Sequence, residues 1–152
     1  MRASIWMVSV VALGFGAFTP RLVRAAPTSP VGNWTTIDDK TKQPKSIVTI
    51  YERGGKLYGK IIKLLAPDAD PNAKCTKCSG AKKDQPMAGL VILEGLKPDG
   101  DEWSGGTILD PASGKTYKCV IKVEAPGKLK VRGYIGLSLM GRTQYWQSAG
   151  GK

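Results

Sequence analysis

The chain has 152 residues, with 23 Lys or Arg against 12 Asp or Glu, a formal net charge of +11 and no histidine. Without histidine the commonest general base and the commonest transition-metal ligand are both missing, which excludes Ser-His-Asp, Cys-His and histidine-ligated zinc mechanisms. The length suits a single domain with its own core once an N-terminal leader is set aside.

That leader is read from the first residues. Met1 and Arg2 precede an almost uncharged apolar run from Ile5 to Phe18, followed by Thr19, Pro20, Arg21 and the small residues Ala25 and Ala26. This is the order of a secretory signal: positive n-region, apolar h-region, small-residue cleavage site. The competing reading, a transmembrane anchor, needs roughly 20 apolar residues where this run has about 14. Cleavage is expected after Ala25, with Val23 and Ala25 in the two small-residue positions. A cut after Ala26 would put Arg24 in one of them and Pro27 just beyond. No cysteine follows the cut and no second apolar run appears downstream. The expectation is a signal peptide over 1–25 and one soluble domain over 26–152, periplasmic or secreted and not membrane-spanning.

Loss of Arg2, Arg21 and Arg24 with all 12 acids retained leaves a mature charge of about +8. Such a surface attracts polyanions, which outside the cytoplasm means lipid headgroups, lipopolysaccharide or cell-wall polymers more than nucleic acid. The lysines are scattered through turns and strands, which favours the plainer reading that they keep the protein soluble.

From Val31 onward, short runs rich in Val, Ile, Thr, Tyr and Trp alternate with Gly, Pro, Asp and Lys clusters, the pattern of an antiparallel all-β domain. Val31 to Ile37 ends at Asp38-Asp39-Lys40. Ser46 to Glu52 and Lys56 to Leu64 flank Arg53-Gly54-Gly55 as a hairpin. A polar loop follows over 66–88 and holds two of the three cysteines. Leu90 to Leu96 leads into the turn Pro98-Asp99-Gly100-Asp101. Trp103 to Leu109 and Lys115 to Glu124 flank Asp110-Pro111-Ala112-Ser113-Gly114. Ala125-Pro126-Gly127 turns the chain into Lys128 to Ile135, and Gly141 to Gln147 is the last run. About eight sequential strands is the number at which an up-and-down sheet closes into a small barrel, filled by side chains or holding one small ligand.

Alternation assigns faces in two runs. Lys128, Lys130 and Arg132 share one face and Leu129, Val131 and Ile135 the other; Tyr117, Cys119, Ile121 and Val123 oppose Lys118 and Lys122. Cys119 is therefore expected inside. Lys56 to Leu64 and Leu90 to Leu96 alternate poorly, which leaves their registers open. Gly59, Gly105, Gly106 and Gly133 lie within strands and are read as bend points that also leave interior volume.

Two resemblances rest on these residues. Gly32-Asn33-Trp34 opening the first strand, with Arg142 in the last, resembles the lipocalin and calycin signature. There the first-strand Trp packs at the closed end of the barrel against a late Arg, a contact with cation–π character. More specifically, Lys45-Ser46-Ile47-Val48, Gly55-Lys56-Leu57-Tyr58-Gly59-Lys60-Ile61, Cys75-Thr76-Lys77-Cys78, Ile108-Leu109-Asp110-Pro111, Gly114-Lys115-Thr116-Tyr117, Val131-Arg132-Gly133-Tyr134 and Gly141-Arg142-Thr143-Gln144 with Trp146 resemble domain of unknown function family 2147. The resemblance implies export and a lipocalin-like barrel, with structural roles for Gly32, Trp34 and Arg142. It brings no catalytic residue.

Cys75-Thr76-Lys77-Cys78 is the sharpest chemical feature, and in an exported protein it reads as a structural disulfide. Pairing of Cys75 with Cys78 leaves Cys119 a buried thiol; a bridge from Cys119 to either loop cysteine is the alternative. A redox role would need the C-x-x-C to open a helix in a βαβ setting, and a zinc site would need two more ligands. Copper held by the cysteines and Met87 is the remaining metal reading. No cofactor and no metal site is expected. Trp103, Tyr117, Tyr134 and Trp146 are the candidate ligand-binding residues, against the competing reading that aromatics in a small barrel are its core. Asp99, Asp101, Glu102 and Asp110 sit in turns, where geometry selects acids, and carry no catalytic assignment.

The sequence thus points to a non-enzymatic barrel that takes a small apolar or amphipathic ligand in its mouth. The alternative is an envelope interaction protein whose barrel is filled and whose basic face meets anionic lipid, glycan or a protein partner. An interior crowded by Trp34, Trp103 and Trp146 would favour the second.

Overall fold

The computed structural model describes residues 29–137 and 139–150, so the expected signal peptide lies outside the described residues. Eight strands follow one another in chain order: β1 Gly32–Ile37, β2 Pro44–Arg53, β3 Lys56–Leu64, β4 Val91–Asp99, β5 Glu102–Asp110, β6 Lys115–Ala125, β7 Lys128–Tyr134 and β8 Gly141–Ser148. Each pairs antiparallel with the next and β8 returns to β1, closing an up-and-down barrel. Closure removes the sheet edges that an open sheet of this length would expose. The expected fold class and strand order hold, with boundaries shifted by up to three residues.

The two ends of the barrel are built differently. At the hairpin end three tight turns join β2 to β3, β4 to β5 and β6 to β7. Gly54 and Gly55 have φ of 60° and 72°, the pair of left-handed residues that a two-residue hairpin matched to strand twist requires. Trp34 is buried here, and its indole N–H donates to the Pro30 carbonyl (2.7 Å), tying the entering chain across this end. The loop end carries the longer connections, over 38–43, 65–90, 111–114 and 135–140.

Inside, Val48, Ile50, Leu93, Leu96, Ile121, Leu129 and Trp146 are sealed from water. β7 alternates as expected, with Leu129 and Val131 buried between Lys128, Lys130 and Arg132. Cys119 is fully buried, as its inward phase demands. Ile135 departs from the expectation: β7 ends at Tyr134, and Ile135 stands 62% exposed.

β4 and β5 are buried on both faces. Leu93 faces Ile108 across the ladder inside the barrel, which turns Ile92 and Leu109 outward, yet both are buried. The 65–90 connection covers them. The bridge between Lys74 and Pro86 and the bond from Met87 N–H to the Ala73 carbonyl (2.8 Å) fold it on itself, and Cys75 and Cys78 are joined by a disulfide while Cys119 stays free. The loop meets the β5–β6 turn closely enough that a Cβ on Gly114, whose φ is 73°, would fall on the Lys77 carbonyl. Lys82 Nζ reaches Glu94 Oε2 on β4 (2.5 Å).

The in-strand glycines do not leave interior volume. The Cβ absent from Gly59 would lie 2.9 Å from Leu93 Cδ1, that of Gly133 3.3 Å from Ile108 Cγ2, and that of Gly106 2.6 Å from Leu96 N. Each glycine admits a neighbour, so the space it opens is already occupied. Left-handed backbone in the strand interiors falls at Gly95 on β4 (φ 75°) and Gly105 on β5 (φ 72°), each within an irregular stretch of its strand.

Candidate functional site at the open mouth

The barrel interior changes character from one end to the other. Trp34, Leu129 and Val131 are sealed, while Trp103 and Val123 at the hairpin end are partly buried against the core. At the loop end Ile108, Tyr117, Gly133 and Gln144 are only half-buried. They occupy adjacent strands: Ile108 faces Tyr117, and Gly133 faces Arg142 across the β7–β8 ladder. Together they line one side of the barrel's loop end. Opposite, Thr36 and Ser46 are buried and share a hydroxyl–hydroxyl hydrogen bond (2.7 Å).

A polar chain runs from the rim into the core. The Asp39 carboxylate accepts from the Arg142 guanidinium and from Gln144 Nε2 (2.5 Å), and Gln144 Oε1 accepts from Trp146 Nε1 (3.2 Å). The Arg142 side chain is 64% exposed, so one face of its guanidinium meets solvent at the mouth. Asp38, beside it, serves the turn: its carboxylate accepts from the backbone N–H groups of Thr41 (2.8 Å) and Lys40 (3.0 Å), which hold its pKa below the ordinary value.

Arg142 does not pack against Trp34. Trp34 faces Ser148 across the β1–β8 ladder while Arg142 lies six residues away at the other end of β8, roughly 20 Å along a strand. A strand that runs the length of the barrel cannot bring its first residue to the hairpin end, and Arg142 pairs with Asp39 instead.

The four aromatic candidates are not brought together. Tyr117 lines the mouth. Trp146 is 1% exposed, held within the core by its bond to Gln144. Trp103 faces Ile121 and packs on the core from the hairpin end, on the side of the barrel away from Tyr117's rim. Tyr134 points outward, lining a depression of about 310 Å³ with Lys122, Lys130 and Arg132. A second depression, about 460 Å³, lies between the 65–90 loop and β4, and neither enters the barrel. Sequence reasoning missed Asp39, Gln144 and Ile108. The inward phase of Gln144, two residues before a Trp in β8, was the signal that could have found it.

Charge is also unevenly placed. Taking each connection with three strand residues on either side, the hairpin end holds five basic residues (Arg53, Lys56, Lys97, Lys128, Lys130) against five acidic (Glu52, Asp99, Asp101, Glu102, Glu124). The loop end holds eleven basic against six acidic: Lys40, Lys42 and Lys45; Lys63, Lys74, Lys77, Lys82 and Lys83; Lys115, Arg132 and Arg142; with Asp38, Asp39, Asp68, Asp70, Asp84 and Asp110 opposing. The excess positive charge therefore lies in the connections of the loop end, four of the eleven basic residues belonging to the 65–90 segment along the barrel wall. Among the described residues no group of three His, Cys, Asp or Glu could hold a metal ion, and no helix is long and apolar enough to cross a membrane.

A closed eight-stranded antiparallel up-and-down barrel is a lipocalin-like barrel. The Helicobacter pylori protein HP1028, described as belonging to the lipocalin family, superposes with a TM-score of 0.69 at 22% sequence identity, covering 79% of this chain and 82% of that one. The chain belongs to the family described as an uncharacterized protein conserved in bacteria, domain of unknown function 2147, whose model matches residues 32–148. No curated protein matches the sequence.

Proposed function

We propose that this protein is an exported, non-enzymatic binding barrel that takes a small amphipathic ligand in its shallow mouth. One observation carries the reading: at the loop-end rim the half-buried inward residues Ile108 and Tyr117 stand beside the Arg142–Asp39 pair. Trp34, Trp103 and Trp146 fill the deeper barrel, the condition that favours the envelope reading over a deep ligand. The ligand reading is therefore confined to the rim: an acyl or aromatic group would rest on Ile108 and Tyr117 while an anionic head meets the open face of Arg142. A charge-assisted contact of this kind is directional and survives partial exposure.

Dodecanoate and dodecanol serve as matched probes. Dodecanoate is expected to raise the melting temperature with concentration, as any ligand of the native state does, and to appear as a one-to-one adduct by native mass spectrometry. Arg142→Gln should weaken dodecanoate about tenfold and leave dodecanol nearly unchanged. If neither probe shifts the melting temperature at saturation, the mouth is not a binding site. Export is tested separately, by N-terminal sequencing of protein recovered from the periplasm, which should begin at Ala26.

A further inference from the structure

Seven large apolar side chains are exposed among the described residues, and four of them share one short connection: Ile135 (62%), Leu137 (77%), Leu139 (87%) and Met140 (77%). The other three are scattered, at Val31, Ile62 and Tyr145, and Tyr145 is partly shielded by Lys128 Nζ, 4.4 Å from its ring centroid. Isolated exposed apolar residues are ordinary, whereas a cluster at one loop tip marks an interaction site. The connection is formed, with the Ile135 N–H donating to the Met140 carbonyl (3.2 Å) and the Met140 N–H to that of Leu137 (3.1 Å). It joins β7 to β8 at the loop end, the end with eleven basic residues against six acidic.

An apolar tip on an end of net positive charge has the chemistry of a surface that enters an anionic bilayer: side chains reach the acyl boundary while Lys and Arg meet headgroup phosphates. A second copy would present the same tip and so bring two positive ends together, which is unfavourable. A stable protein partner needs roughly 800 Å² on each side, more than one six-residue tip offers. We propose that Ile135, Leu137, Leu139 and Met140 form an insertion tip that docks the open end of the barrel on an anionic lipid surface, with Lys115 at a flanking phosphate. This docking does not depend on what the mouth holds.

The test is sedimentation of the chain over 26–152 with phosphatidylcholine vesicles, with and without phosphatidylglycerol. Binding is expected only to the anionic vesicles and should weaken as salt rises. Leu137→Glu with Leu139→Glu should lower partitioning about tenfold or more while the melting temperature holds. Leu139→Trp should show a blue-shifted emission on binding, quenched by brominated acyl chains. Absence of binding to both vesicles overturns the proposal, as does unchanged binding by the double variant. Salt-sensitive binding without acyl-chain quenching overturns insertion in favour of headgroup attraction alone. A wild-type dimer that the double variant abolishes would assign the tip to self-association instead.

Discussion

The two connections that flank the mouth invert the usual relation between hydropathy and burial. The segment over 65–90 is long and rich in Lys, Asp and Pro, yet it lies against the barrel wall, with Cys75, Cys78 and Leu90 buried. The segment over 135–140 is short and carries four large apolar side chains, yet all four face water. The long loop is held by what it covers: Ile92 and Leu109 are outward apolar residues on β4 and β5 that would otherwise be exposed. The short loop has nothing to cover, because the outer faces of β7 and β8 beside it carry Arg132, Tyr134 and Thr143. Burial here follows the needs of the neighbouring strands, and an apolar loop without such a neighbour is left free for something outside the chain.

The comparison is tested most severely at Leu109. If the long loop is part of the core, Leu109→Ala should destabilise by about 2–4 kcal/mol in urea unfolding, as large-to-small changes at buried sites do. A loss below about 0.5 kcal/mol, the range of ordinary surface substitutions, would show the loop to be a loose cover. Joint Cys75→Ser and Cys78→Ser replacement should cost about 2 kcal/mol or less, because a bridge across three positions constrains little of the unfolded chain.

A third measurement asks whether the wall between the two loops is sealed. Burial pushes the Cys119 thiol up to about 12, from an ordinary value of 9.0. Between those values the unfolded chain releases a proton that the folded chain keeps, so stability should fall as pH rises above about 9, by about 1.4 kcal/mol per unit from this group. Comparing wild type with Cys119→Ala isolates it: the difference in stability should narrow with rising pH. A difference that stays flat from pH 8 to about 10.5 would mean that Cys119 ionises in the native barrel.

Much of this architecture is legible in the residues. Gly54-Gly55, Asp99-Gly100 and Pro126-Gly127 mark the three hairpins because tight turns need left-handed backbone, and unbroken alternation in β6 and β7 places Cys119 and Val131 inside. Where alternation fails, the reading fails with it. The register shifts by which β5 skips from Trp103 to Gly106, and β4 from Leu93 to Leu96, break the period of two on which face assignments depend. The adjacent apolar pairs Ile92-Leu93 and Ile108-Leu109 signal strands covered on both sides, but nothing local says what covers them. The partner of Arg142 was equally hidden, since a short motif records which residues occur in a strand and not which end of it they occupy.

The smallest expected effect separates the two loops most sharply. Leu137→Ser together with Leu139→Ser removes two large apolar side chains, a change that in a core would cost several kcal/mol. Both are more than three-quarters exposed in the folded chain, so folding transfers little of their surface out of water and the native state has little to lose. The pair should therefore shift unfolding stability by no more than about 0.5 kcal/mol, in either direction. Urea titration beside Leu109→Ala gives the contrast directly: one buried leucine in a polar neighbourhood should outweigh two exposed leucines in an apolar loop. A loss of about 2 kcal/mol or more from the double variant would place Leu137 and Leu139 against the barrel in solution. The 135–140 loop would then be a second cover like the first, closed over the mouth and with no apolar surface to offer a membrane.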